Sequence, residues 1–189
     1  QRALDLGLFI NGLPVATFEL KNSLTKQTID DAVEQYRRDR DPREKLFEFG
    51  RCVVHFALDE HEVRFCTHLK GKGSWFLPFN KGDEGAAGNP LNPNGHRTAY
   101  LWEDVWARDS WLEIIGRYIV SKRDSKKQIT ASIFPRYHQL DATRKLLAAV
   151  LADNSPSLQP SGGTTSQSTK PASGQVAGYP AGGGESKYL

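Results

Sequence analysis

The sequence predicts an α/β domain, and three observations carry that expectation. Two pairs of apolar, strand-like segments occur, residues 4–10 with 15–21 and residues 51–58 with 62–69. Short polar turns sit inside each pair, Asn11-Gly12 in the first and Asp59-Glu60-His61 in the second. Helical patterns stand at 28–39, 109–120 and 137–152.

Taken in order, LDLGLFI (4–10) and VATFELK (15–21) read as two strands of a hairpin, because Asn-Gly between apolar runs is a strong tight-turn signal. In 28–39, Ile29, Ala32, Val33 and Tyr36 recur at i, i+3, i+4 and i+7, which places them on one helical face. Thr28 is a suitable N-cap, and Asp31 favours the positive helix end. Asp41-Pro42 closes the helix. RCVVHFAL (51–58) and EVRFCTHL (62–69) form the second strand pair. Residues 80–97, rich in Gly, Asn and Pro, are expected to be a long loop. The helix at 109–120 is capped by Asp109 and lined by Trp111, Ile114, Ile115 and Tyr118. The last helix, 137–152, carries Leu140, Leu146, Leu147 and Val150. From Asn154 onward half of the 36 residues are Ser, Gly or Pro, so the segment buries too little apolar surface to offset its ordering entropy and is expected to be disordered.

Composition narrows the function classes. With 38% hydrophobic and 25% charged residues the chain reads as soluble and globular. No apolar run approaches the ~18 residues that cross a bilayer, and no signal peptide is visible, so a cytoplasmic, membrane-free protein is expected. A net charge of +3 permits nucleic-acid binding without requiring it. Cys52 and Cys66 lack metal-site spacing and read as buried free thiols. The chain starts at Gln1, contains no Met and enters a strand almost at once, as a fragment lacking earlier elements would.

The chemistry concentrates on the first hairpin. Side chains alternate along a strand, so Glu19 and Lys21 share a face and Leu20 points away. Asp5 joins them only if the connection has odd length or carries a bulge: with Asn11–Leu13 as a three-residue turn, Ile10 pairs with Pro14 and Asp5 stands opposite Glu19. Three charges inside an apolar hairpin are costly unless used. Adjacent carboxylates repel unless a cation lies between them, and a hard divalent ion such as Mg²⁺ is held by one or two carboxylates with waters. Asp5 and Glu19 would hold it, with the backbone carbonyl of Leu20 as a further ligand. Lys21 would orient a water or steady developing negative charge. This is machinery for phosphodiester hydrolysis.

LDLGLFINGLPVATFELKN resembles the nuclease motif of type I restriction enzyme R subunits, a branch of the PD-(D/E)xK superfamily. Asp5, Glu19 and Lys21 match its three catalytic positions, although Leu4 stands where Pro is usual. DAVEQYRRDRDPREKLFEFGR, VHFALD, WFLPFNKG, GNPLNPNGHRTAYLWEDVW and RDSWLEIIGRYI are also similar to one lineage, so the resemblance spans about residues 2–152. It implies a restriction-endonuclease-like mixed sheet flanked by helices. It implies Mg²⁺-dependent cleavage of double-stranded DNA, in a complex with methyltransferase and specificity subunits and an ATP-driven motor. FPRYHQLDAT (134–143) resembles the adenine-recognition motif before such a motor, with Gln139 contacting adenine. The motor's phosphate loop, G-x-x-x-x-G-K-[ST], is absent from this chain, so ATP belongs to the full-length subunit. Many relatives carry Gln-x-x-x-Tyr on the next helix; here Gln35 is followed by Tyr36 directly, leaving Gln35 as a site-ordering or DNA-backbone contact or an ordinary surface residue.

The expected organisation is a nuclease domain over 1–121, a connector and start of a helicase-like domain over 122–153, and the tail over 154–189. Arg37 and Arg38, with Arg40 and Arg43, form a basic cluster that either contacts DNA phosphates or makes a salt-bridged, solvated face. KGKGS (70–74) and KGDEGAAG (81–88) read as loops that offer Lys70, Lys72 or Lys81 to phosphates. His55 and His68 read as structural, and the role of His138 is open. Trp75, Trp102, Trp106 and Trp111 read as core. A non-catalytic remnant that binds DNA or partner subunits, and a stand-alone nuclease of the same fold, are the rival readings.

Overall fold

The computed structural model describes residues 3–153. The tail at 154–189, expected to be disordered, lies outside the described residues. The α/β expectation holds. Five strands form a mixed sheet in the order β1 (Leu6–Ile10), β2 (Leu13–Leu20), β3 (Val54–Leu58), β4 (Val63–Cys66) and β5 (Leu77–Pro78). β2 and β3 run parallel, and the other neighbours are antiparallel. A parallel pair needs a crossover, and α1 (Ile29–Arg38) supplies it.

The first hairpin corrects one expectation. Asn11 and Gly12, both at positive φ (49° and 80°), make a two-residue turn, and Ile10 pairs with Leu13 rather than Pro14. The odd residue sits instead in a bulge: Phe9 pairs with Pro14, but Leu8 pairs with Ala16, leaving Val15 extra. Leu6 then pairs with Phe18, and the same register carried one step further sets Asp5 against Glu19. The bulge alternative therefore holds, and the three-residue turn does not.

β2 and β3 are buried on both faces, as a central parallel pair must be. On one face α1 lays Ile29, Ala32, Val33 and Tyr36 against Ala57 and Cys66, as its periodicity predicts. The Asp31 carboxylate accepts from the Thr28 backbone N–H at 2.7 Å and closes its first turn. The opposite face buries Ala16, Phe18, Phe56 and Phe65 against Tyr100, Leu101, Val105, Trp111, Ile114, Phe134 and Leu140. The sheet is thus sandwiched between two layers.

That second layer departs from the expected helix at 109–120. The α-helix α2 covers only Arg108–Glu113, with Ala107 rather than Asp109 at the N-cap, and Ile114–Tyr118 continues as a π-helix. Another π-helical turn, Leu101–Val105, precedes it. Widened turns of this kind re-aim side chains without breaking the segment. Past Ile119 the chain adds two strands and a helix. β6 (Val120–Arg123) and β7 (Ile129–Ile133) form a separate hairpin, whose Ser132 carbonyl accepts from Thr67 Oγ1 at 2.7 Å. α3 (Tyr137–Asp153) follows, anchored by buried Leu140. Of the four tryptophans expected inside, Trp111 is buried and Trp106 packs against the core, whereas Trp75 is 74% and Trp102 47% exposed. Trp102 takes the outward side of a turn whose inward side is filled by buried Leu101 and Val105, and Trp75 follows the 70–74 loop.

The long loop at 80–97 is tied at its base. The Asn89 side chain, 1% exposed, accepts from the Lys81 N–H and donates to the His61 carbonyl and to Asn80 Oδ1. Asn80 Oδ1 in turn accepts from the Val63 N–H. A loop with its backbone groups satisfied in this way becomes part of the framework. Cys52 and Cys66 are free and buried, as expected.

Candidate active site

β2 and α1 build the site between them. Along β2, Ala16 and Phe18 face the aromatic core, which turns Thr17, Glu19 and Lys21 toward α1. Asp5 lies just before β1 and is held to β2 by the Leu20 backbone N–H, which donates to Asp5 Oδ2 at 2.8 Å. The structure therefore brings Asp5 and Glu19 together with Lys21 on the same strand face. Asp5 is exposed, whereas Glu19 is fully buried.

Glu19 has a partner that sequence reasoning placed elsewhere. Arg40, 4% exposed, donates from Nε to Glu19 Oε1 at 2.6 Å and from Nη2 to the Ala3 carbonyl at 2.6 Å. The sequence groups Arg40 with Arg37, Arg38 and Arg43 in a basic cluster for DNA phosphates or a solvated face. Its position two residues beyond the end of α1 instead carries it under the first hairpin. The second Glu19 oxygen, Oε2, is buried and has no hydrogen-bond partner. Burial pushes the Glu19 carboxyl up to about 7. The Arg40 guanidinium opposes that shift, and the negative charge of Asp5 adds to it.

Lys21 Nζ donates to Gln35 Oε1 on α1. Gln35 is thus a neighbour of the candidate catalytic residues despite its irregular spacing from a tyrosine. Tyr36 is also present here, one layer down. Its hydroxyl shares a hydrogen bond of 2.8 Å with Thr17 Oγ1, which shares another of 2.7 Å with His55 Nδ1. This buried chain floors the site, and no local pattern in the sequence announces it.

His55 carries a pH signature. Burial holds its imidazole down at about 3, far below the usual range near 6.5, so the folded protein keeps it neutral. The unfolded chain protonates it as pH falls through about 6.5, and the folded chain resists until about pH 3. Stability from this residue is therefore complete above pH 6.5 and lost progressively below it. By pH 5 the loss is about 2 kcal/mol. Glu19 has the opposite sign between pH 7 and its unfolded value near 4.5, because its folded form takes up the proton more readily. Melting curves of the wild type and His55→Asn between pH 7 and 5 separate the two. The variant starts lower but should fall less, and parallel curves would contradict the assignment.

The other predicted contacts lie apart from these residues. Arg37 spends its guanidinium on the Ser74 carbonyl, at 3.2 and 3.3 Å, and on Glu34 at 3.1 Å, tying α1 to the 70–74 loop. Arg38 pairs with Glu34 at 2.9 Å on the surface. Lys81 sits over the rings of Tyr100 and Tyr137, at 4.9 and 5.8 Å from their centroids. Gln139 is exposed at the start of α3, where its side-chain oxygen accepts from the Arg136 N–H at 3.0 Å. His68 stacks on Phe49.

The donor set suits a small hard cation. No group of three His, Cys, Asp or Glu side chains suited to a metal ion occurs among the described residues. Mg²⁺ does not need one, since one or two carboxylates and waters suffice. A buried carboxylate oxygen without a hydrogen-bond partner, beside a second carboxylate, is compatible with such an ion.

Comparison with known proteins agrees with the hairpin motif. Residues 1–74 match the family model of the type I restriction enzyme R protein N terminus. Two proteins of Methanocaldococcus jannaschii are similar over a longer stretch. One, named as the MjaVIIIP type I restriction enzyme endonuclease subunit, is 27% identical over 151 residues, covering 75% of this chain and 13% of that protein. The other, named as the MjaVIIP endonuclease subunit, is 27% identical over 164 residues, covering 77% of this chain and 13% of its own. The chain thus spans about 13% of the length of these curated relatives. No solved structure matches. Among the described residues, no helix is long and apolar enough to cross a membrane.

Proposed function

From a chain whose first 74 residues carry the N-terminal pattern of type I restriction enzyme R proteins, we propose a Mg²⁺-dependent endonuclease domain that hydrolyses phosphodiester bonds of double-stranded DNA. The observation that carries the reading is the pairing of Asp5 with a buried Glu19 whose Oε2 has no partner, with Lys21 on the same face. Asp5, Glu19 and the Leu20 carbonyl are the residues that would hold the cation. Held there, such a cation would supply an acidified water and charge compensation for a phosphoryl oxygen. Lys21, fixed by the Gln35 amide, presents its ammonium on the same side, where it orients a water or steadies negative charge on the phosphate. Tyr36, Thr17 and His55 keep β2 and α1 in register beneath these groups.

In the whole subunit this domain would act with a motor that consumes ATP and with methyltransferase and specificity subunits. Gln139 is the residue proposed to meet adenine, and Arg37 and Arg38 to lie near the DNA backbone. A second reading, a non-catalytic remnant that binds DNA or partner subunits, draws support from Arg40, which already neutralises Glu19. Lys21→Ala in the full-length subunit separates the two. A side chain that stabilises charge on the reacting phosphate is worth about 100-fold or more in rate. Cleavage should fall by that factor with DNA binding retained, and unchanged cleavage would remove the nuclease assignment.

A further inference from the structure

The charges around Glu19 close on themselves before any cation arrives. With Glu19 ionised, Asp5 and Glu19 contribute two negative charges. Arg40 returns one positive charge at 2.6 Å, and Lys21, held by the neutral amide of Gln35, returns a second. An Mg²⁺ ion entering this set leaves two positive charges in excess, in a place where Glu19 is fully buried and Arg40 nearly so. Uncompensated charge away from water is strongly unfavourable. A DNA phosphodiester brings one negative charge to the same spot and halves that excess.

We propose that Arg40 couples cation uptake to DNA: it ties off Glu19 Oε1, leaves Oε2 without a hydrogen-bond partner, and keeps Mg²⁺ affinity low until a backbone phosphate reduces the excess of positive charge. This rests on the metal-site reading above and deepens it. Arg40 acts here through Glu19 and is a positioning residue. Its geometry suits the task. Two bonds, to Glu19 and to the Ala3 carbonyl, hold the guanidinium still, so that its charge cannot simply drift away as the cation enters. Arg37, Arg38 and Arg43 each pair with a more exposed acidic residue, Glu34 or Asp41, and place no comparable charge beside Glu19.

The test is equilibrium dialysis of Mg²⁺ against the full chain, alone and with a short DNA duplex, with duplex-only compartments subtracted. In the wild type the duplex should tighten Mg²⁺ binding by about tenfold or more, and Mg²⁺ should tighten duplex binding by the same factor. A duplex with uncharged methylphosphonate linkages should give no such gain. Arg40→Gln should bind Mg²⁺ more tightly without DNA and lose most of the coupling, whereas Arg40→Lys should retain it. Absence of coupling in the wild type overturns the proposal even if Arg40→Gln proves too unstable to study. Equal Mg²⁺ affinity of wild type and Arg40→Gln in the absence of DNA overturns it as well. Asp5→Asn distinguishes the two levels: if it leaves Mg²⁺ binding unchanged, the metal site itself is wrong, and if it abolishes binding while Arg40→Gln changes nothing, only the coupling is.

Discussion

Glu19→Ala should cost this domain about 3–5 kcal/mol of folding stability, because it strands the Arg40 guanidinium. Arg40 is 4% exposed and Glu19 fully buried, with 2.6 Å between Nε and Oε1. Removing one member of such a pair leaves a desolvated charge whose remaining bond, to the Ala3 carbonyl, is no substitute for a carboxylate. The pair itself contributes much less than its rupture costs. Replacing both residues by apolar side chains of similar volume, Glu19→Leu with Arg40→Met, should therefore be milder than Glu19→Ala alone. Urea unfolding of the single and paired variants measures this as a double-mutant cycle. A cost below about 1 kcal/mol for Glu19→Ala would mean that Arg40 escapes to water, and that the site is less closed than described.

The second large effect lies on the other face of the same strands. Phe56, on β3, is fully buried at the centre of an aromatic cluster. It stacks on Phe18 with 5.5 Å between centroids, meets Phe79 and Phe134 edge-on at 5.8 Å each, and touches Phe65 and Trp106. Phe56→Ala removes a partner from five rings at once and should cost about 3–5 kcal/mol. The sheet, the 100–118 segment and the β7–α3 junction all meet there, so the vacated space cannot be refilled by one neighbour. Phe56→Leu should cost markedly less. Denaturant midpoints with unchanged slopes would confirm that the loss is in packing rather than in compactness.

The parts of this protein that the sequence makes legible are those governed by local periodicity. Ile29, Ala32, Val33 and Tyr36 face inward because a helix repeats every 3.6 residues, and the Asn11-Gly12 turn forms because its backbone demands positive φ. Asp5 and Glu19 could be matched by counting alternate positions along two strands. Arg40 could not, since nothing nearby separates it from Arg37, Arg38 or Arg43; only the path of the chain beyond α1 brings it under Glu19. The Thr17–Tyr36–His55 chain is hidden for the same reason, being 19 and 38 residues apart in sequence. β6 and β7 leave no clear signal in the sequence because β6 is exposed throughout and carries no apolar alternation. The π-helical turns at Leu101–Val105 and Ile114–Tyr118 keep a helical apolar pattern while shifting their hydrogen bonds by one residue, which composition does not record.

The unpaired Val15 sets a rule about length. With a two-residue tip, acids fourteen positions apart meet only because one residue stands outside the pairing; thirteen positions would bring them together with no such residue. A relative that shed the surplus residue itself would keep the acids opposed in a regular ribbon, whereas one that lost a paired position and kept the surplus residue would invert it. Single gaps in this stretch should therefore fall at the surplus residue or be compensated at the tip wherever the acids are kept.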